Sequence, residues 1–144
     1  MLSPQIYYAL LLFVSIYAFL RGSAEERIAA ATCILATFVT NLVYSPRGSY
    51  VDVELGVLLV DIGALSAFII LALRSDRFWP LWIAGLQLTT VIAHVLKLVE
   101  LDLMPQAYAA AARIWVYPIF LIIVVGTFRS SRRRAMHDRP PLPT

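Results

Sequence analysis

The sequence is poor in the residues on which most soluble proteins depend. Charged residues occupy 15% of its 144 positions, against about 25% in a typical soluble domain. Its single cysteine, Cys33, lies in an apolar run, which excludes an internal disulfide, a CxxC redox pair and a cysteine metal cage. His94 is the only histidine within an apolar segment, so one chain cannot ligate a haem through two histidines.

Catalytic signatures are also absent from the sequence. It contains no HExxH, no P-loop and no GxSxG. A hydrolase would need a nucleophile beside a base, and neither Ser15 nor Thr90 has a convincing partner of this kind in the sequence. We therefore expect no enzymatic activity, no catalytic residues, no metal site and no cofactor.

Apolar residues, by contrast, make up 60% of the chain, and the mean hydropathy is +0.78. A bilayer core about 30 Å thick is spanned by a helix of about 20 mostly apolar residues. Ser23 and Glu26 have the spacing of a capping box and predict the start of the second helix. Short connections force neighbouring helices to be antiparallel. The sequence predicts an all-α polytopic bundle over residues 1–128, with about five spans at 4–20, 25–44, 52–73, 77–99 and 104–128.

The arginines predict the orientation of this bundle. Cytoplasmic loops are rich in Lys and Arg, and five spans place most of the flanking arginines on one side of the membrane. The N-terminus is then outside, and the basic, proline-rich tail of residues 129–144 is cytoplasmic. Tyrosines cluster at the predicted outer boundary, as interface belts do. The arginines on the predicted inner side are Arg21, Arg27, Arg74, Arg77, Arg129, Arg132, Arg133 and Arg134.

A polar stripe runs along the fourth segment. Gln87, Thr90, His94 and Lys97 follow one another at spacings of three, four and three, so they share a helix face. A polar face is unfavourable against hydrocarbon, and we expect it to line an outward-facing cleft. The opposite face is expected to meet lipid, and we assign to it Ile83, Leu88, Ile92 and Leu96.

Other segments add polar residues to the same predicted cleft, namely Asn41, Glu54 and Tyr117. Asp61 and Arg113 lie too deep to reach water easily, so we predict that they form a buried ion pair. Glu54 with Lys97 or His94 is a second predicted pair nearer the rim.

Structural interpretations of these residues remain open. An ion pair that only fixes helix register explains Asp61 and Arg113 equally well. Lys97 can extend its ammonium group to water from the helix end, and His94 can be a hydrogen-bonded packing residue. Pro118 lies inside the predicted fifth span, where it would free the carbonyl of Ile114 and kink the helix.

The last third of the chain carries a resemblance. The aromatic FWPLW stretch, the GLQL…AHVLK stripe and the final AxxxW…GT pattern resemble small multi-pass inner-membrane proteins of alphaproteobacteria. The resemblance implies a bacterial inner membrane, and it implies no function or functional residues.

The sequence leaves three functions in view. The first is a non-enzymatic membrane protein whose outward polar cleft binds a small ligand, or which serves as a subunit of a membrane complex. The second is a small ion- or proton-coupled transporter using Asp61, His94 and Arg113, although five helices offer no obvious pair of inverted repeats. The third is a pore-forming or lysis-type protein. The expected partners are the lipid bilayer and another membrane protein or a second copy of the chain, with no nucleic acid.

Overall fold

A computed structural model describes residues 4–44, 50–99 and 114–138, with side chains from residue 54 onward in the second range. Over these residues the chain is helical and contains no strand, as the sequence predicts. Four helices, α1 to α4, are long and apolar enough to cross a membrane. The helices are α1 (Pro4–Arg21), α2 (Ala24–Val43), α3 (Tyr50–Arg74), α4 (Trp79–Val99) and α5 (Val116–His137).

The helices form a closed bundle. Each of the first four packs against the next, and α5 contacts α1, α2 and α4. Helices α1 and α2 are antiparallel, because Tyr7 near the start of α1 contacts Thr37 near the end of α2. The ends of α1 and α3 and the second half of α5 carry most of the arginines, and we call this the basic end of the bundle. The starts of α1 and α3 lie at the opposite end.

The centre of the bundle is filled by apolar side chains from several helices. Phe68, Ile83, Ile119 and Ile123 are essentially inaccessible to solvent. Alanines on α1 and α2 are buried beside them, and such small residues let helix backbones approach closely. At the level of these four side chains, the interior of the described part of the bundle is therefore apolar.

The lipid-facing surface of α4 is predicted correctly for three of its four residues. Leu88, Ile92 and Leu96 are each nearly half exposed. The prediction for Ile83 is wrong, because its side chain has 0% exposure. Ile83 precedes Gln87 by one helical turn, so it continues the inward-facing stripe toward the basic end.

Helix α5 overlaps the second half of the predicted fifth segment. Residues 104–113 of that segment lie outside the described residues, and α5 as described begins at Val116, directly after a turn residue, Trp115. Pro118 lies in the first turn of α5, and the kink predicted within a continuous 104–128 helix stays a prediction. The helix also continues past Phe128 to His137, so the arginines of the predicted tail extend it.

The connection between α1 and α2 is only two residues long. The Gly22 N–H donates to the Ala18 carbonyl at 2.8 Å, and the Ser23 N–H donates to the Glu26 carboxylate at 2.7 Å. A Cβ atom at position 22 would collide with the Ala18 carbonyl oxygen and lie 2.9 Å from the Glu26 Cβ. The close approach of two backbones thus requires glycine at this turn.

We predict that Gly22→Ala lowers the free energy of unfolding by about 1–3 kcal/mol, the usual effect of forcing extra atoms into a packed site. Gly63→Ala and Gly85→Ala are matched controls, because no atom lies within 4 Å of a Cβ at either position. Thermal unfolding in detergent, followed by circular dichroism, measures the difference. Equal melting temperatures for all three variants would contradict the proposed steric constraint.

Candidate functional site

A ladder of polar side chains connects α3 and α4 in the half of the bundle away from the basic end. Glu54 and Asp61 are seven residues apart and share a face of α3. Gln87, His94 and Lys97 share a face of α4, and the two faces meet. We call these five residues the polar ladder.

Glu54 accepts two contacts at the rim of the ladder. The Lys97 ammonium donates to Glu54 Oε2 at 2.6 Å, and His94 Nδ1 lies 2.7 Å from Glu54 Oε1. Both distances are those of charge-assisted hydrogen bonds. One carboxylate on α3 thereby fixes two side chains on α4.

His94 bridges the two carboxylates of the ladder. Its Nε2 atom lies 3.2 Å from Asp61 Oδ2, while the Gln87 amide donates to Asp61 Oδ1 at 3.0 Å. A neutral imidazole has only one N–H, so both contacts of His94 are hydrogen bonds only if the imidazole or a carboxyl group carries an additional proton. With a protonated imidazole, His94 and Lys97 balance the charges of Glu54 and Asp61.

The ladder is largely closed to solvent. The exposed fractions of the side chains are 9% for Glu54, 13% for His94, 15% for Lys97 and 18% for Asp61. The seven residues from Glu54 to Asp61 correspond to a depth of about 10 Å at ~1.5 Å per residue. The next side chain on that face of α4, Ile83, is fully buried. The ladder thus ends against the apolar core.

Three other predicted cleft residues are not joined to the ladder by hydrogen bonds within the described part of the chain. The Thr90 hydroxyl donates to the carbonyl of Leu86, in its own helix, at 3.3 Å. Asn41 is exposed and accepts the Tyr8 hydroxyl at 3.0 Å. Tyr117 is half-buried on α5. Thr90 thus shares the inward face of α4 without bonding to the ladder, while Asn41 and Tyr117 lie on other helices, α2 and α5.

The predicted Asp61–Arg113 pair lies partly outside the described residues, because Arg113 is not among them. The described partners of Asp61 are Gln87 and His94. The pair with Arg113 remains a prediction.

A second cluster lies at the basic end and has a fully buried carboxylate, Glu26, at its centre. Arg77 Nη1 donates to Glu26 Oε1 at 2.9 Å and to the Ser130 hydroxyl at 2.6 Å. The Ser130 hydroxyl donates to Glu26 Oε1 at 3.2 Å, and the Ser23 hydroxyl also donates to this carboxylate. Glu25 lies 3.5 Å from Arg77 at the exposed side. These five residues, the basic-end cluster, connect α2, α5 and the segment before α4.

Sequence reasoning treated Glu26 only as part of a helix cap. Its partners Arg77 and Ser130 are 51 and 104 residues away along the chain, so no local spacing reveals them. One local signal was available. Glu26 shares a helix face with Ala29, Ala30 and Cys33, all small residues that are buried in the bundle. A carboxylate on such a face requires a cation from another part of the chain.

The described residues contain no cluster of side chains suited to bind a metal ion. Within residues 4–44, 54–99 and 114–138, no group of three or more His, Cys, Asp and Glu side chains is placed to hold a metal ion. The ladder offers hydrogen-bond donors and acceptors and four ionisable side chains, those of Glu54, Asp61, His94 and Lys97.

Comparison of the chain with protein-family models, with curated proteins and with solved structures found no match.

We predict that Glu54 and Lys97 are energetically coupled. Glu54→Gln removes a charge that both Lys97 and His94 contact, and breaking one side of a buried pair costs about 3–5 kcal/mol. The double variant Glu54→Gln/Lys97→Gln should be more stable than the sum of the single effects by about 0.5–3 kcal/mol. Thermal unfolding in detergent of the four proteins tests this. Simple additivity would contradict a shared network.

We also predict different effects for the adjacent glutamates at the basic end. Glu26 is fully buried, whereas the Glu25 side chain is 26% exposed, and both contact Arg77. Glu26→Gln should lower the free energy of unfolding by about 1–3 kcal/mol, since it leaves buried donors poorly satisfied. Glu25→Gln should change it by less than about 1 kcal/mol, as for exposed pairs. Thermal unfolding in detergent measures both variants. Equal losses of unfolding free energy would contradict the central role of Glu26.

Proposed function

We propose that the chain is a non-enzymatic integral membrane protein that binds a small polar ligand at the polar ladder from one side of the bilayer. The single observation that carries this proposal is the one-sided ladder, which descends from Glu54 and Lys97 to Asp61 and Gln87 and ends at Ile83. Charged groups at this depth are unfavourable in hydrocarbon, and intramembrane ionisable groups commonly mark ligand or ion sites. A related role is that of a subunit in a membrane complex. In that case a polar group on a helix of the partner protein would bind at the ladder in place of a small molecule.

The arginine distribution supports an orientation with the ladder on the outer side of the membrane. The basic end is then cytoplasmic, the N-terminus is outside, and the chain has five spans when the predicted segment 104–128 is included. We propose the bacterial inner membrane as its location, on the basis of the resemblance carried by the last third of the chain. The bilayer is its first partner under this proposal.

A second candidate function is proton-coupled transport, and His94 is the observation that favours it. An imidazole between two carboxylates can accept a proton from one side and release it when a partner moves. The buried Glu26 would then be the counterpart at the other end. The apolar layer around Phe68, Ile83 and Ile123 separates the two clusters, so transport would require a second conformation that opens this layer. A pore-forming or lysis-type function requires neither of these self-neutralised clusters.

Thiol labelling separates these functions. After Cys33→Ala, single cysteines at positions 97, 94, 90, 87 and 83 follow the inward face of α4, and cysteines at Ile92 and Leu96 provide lipid-facing controls. A membrane-impermeant charged thiol reagent is applied from the outside of intact cells or from the inside of inverted vesicles. We predict outside labelling at 97 and 94 that falls at least tenfold by 83, and little labelling at 92 and 96.

The labelling pattern has distinct contrary outcomes. Labelling of the whole stripe from both sides would favour transport over one-sided binding. Absence of labelling at 97 and 94 would contradict a site that water can reach. Labelling of these positions only from the inside would show that the orientation is opposite to the one proposed. Position 90 is the most informative, because Thr90 bonds only within its own helix and its replacement leaves the ladder intact.

A further inference from the structure

A surface groove at the basic end is used by neither polar cluster. It lies between α1 and α5, has a volume of about 330 Å³, and is lined by Tyr17, Arg21, Phe128, Ser131, Arg132 and Ala135. Both arginines are exposed. Among the described residues, no carboxylate lies within ion-pair distance of either one, whereas Glu25 and Glu26 are both engaged by Arg77. The groove thus contains two cationic groups without an internal counter-charge.

Helices α1 and α5 run in the same direction beside this groove. The Tyr7 and Phe120 rings, near the two helix starts, are 5.7 Å apart, and Arg21 and Arg132 line the groove farther along the two helices. Arg21 on α1 and Arg132 on α5 therefore lie at a similar level, close to the basic end of the bundle.

The residues along each helix change from apolar to aromatic to cationic toward that surface. On α1, Phe13, Tyr17 and Arg21 follow at spacings of four, and the first two rings stack with centroids 6.4 Å apart. On α5, exposed Leu121 and Val125 precede Phe128 and Arg132. The Arg132 guanidinium carbon lies 5.7 Å from the centre of the Phe128 ring, a cation–π distance.

We propose that this groove binds the phosphate headgroup of an anionic phospholipid in the leaflet at the basic end. Arginine forks match phosphate oxygens, and the Ser131 hydroxyl is placed to donate a further hydrogen bond. The acyl chains would lie along the exposed apolar surfaces of α1 and α5. A net-negative headgroup is favoured over a zwitterionic one, because its phosphate offsets part of the charge of the two arginines, whereas a zwitterionic headgroup brings a cation of its own. This site is independent of the ligand proposed for the polar ladder.

The test compares lipid retention by the full-length chain. Protein in neutral detergent is mixed with phosphatidylglycerol or with phosphatidylcholine of the same acyl chains, and bound lipid is counted by native mass spectrometry. We expect the first bound lipid to be phosphatidylglycerol in large preference. Arg21→Gln/Arg132→Gln should reduce that preference by about thirtyfold, since each arginine near an anionic surface contributes roughly a fivefold factor.

The matched control removes the same charge from the same end. Arg27 and Arg74 are exposed and do not line the groove, so Arg27→Gln/Arg74→Gln should leave the preference within about twofold. An equal loss in both double variants would overturn the proposal in favour of diffuse attraction by the basic end. Displacement of phosphatidylglycerol by millimolar inorganic phosphate would also overturn it, because the ligand would then be a soluble phosphate.

A charge-conserving pair keeps the proposal testable if the glutamine variant does not fold. Arg21→Lys/Arg132→Lys preserves the charge and loses the planar fork, and it should lower phosphatidylglycerol preference several-fold. Arg27→Lys/Arg74→Lys should not. Identical behaviour of these two lysine variants would contradict a built headgroup site.

Discussion

A carboxylate within an apolar helix bundle has to be neutralised by a group from another part of the chain, and this constraint organises the structure. Contacts between apolar helices provide little preference for register in a membrane, because lipid tails are as apolar as leucine side chains. Glu54 therefore sets how α3 faces α4, through Lys97 and His94. Glu26 does the same at the basic end, where Arg77 and Ser130 connect three parts of the chain. Each end of the bundle is fixed by one central acid.

Between the two acids the bundle is apolar, and this separation gives the molecule two different ends. Phe68, Ile83 and Ile123 fill the interior where small residues on α1 and α2 bring the backbones together. A polar network that crossed this layer would connect the two membrane surfaces in the observed conformation. The network instead ends at Gln87, so each cluster interacts with its own surface. The asymmetry of the arginines then distinguishes the surfaces electrostatically.

Much of this organisation could be predicted from the sequence, because hydropathy and helical spacing are local properties. The helices and the shared face of Gln87, His94 and Lys97 follow from such patterns. Ile83 was assigned to lipid because its side chain is apolar, although its position, one turn before Gln87, places it on the inward face. Glu26 was missed for a different reason. The partners of its buried carboxylate, Arg77 and Ser130, are 51 and 104 positions away along the chain. Only the packing of the helices brings them together, so the sequence around Glu26 does not reveal them.

The two-residue connection at Gly22 has a consequence for membrane topology. Helices α1 and α2 are joined so closely that the end of one and the start of the other cannot lie on opposite sides of a bilayer. With only Gly22 and Ser23 between the helices, Arg21 and Arg27 stay at the same end of the bundle. If both helices cross a bilayer, as their length and composition allow, the two arginines lie on one side of it and give the hairpin a single positive-inside signal.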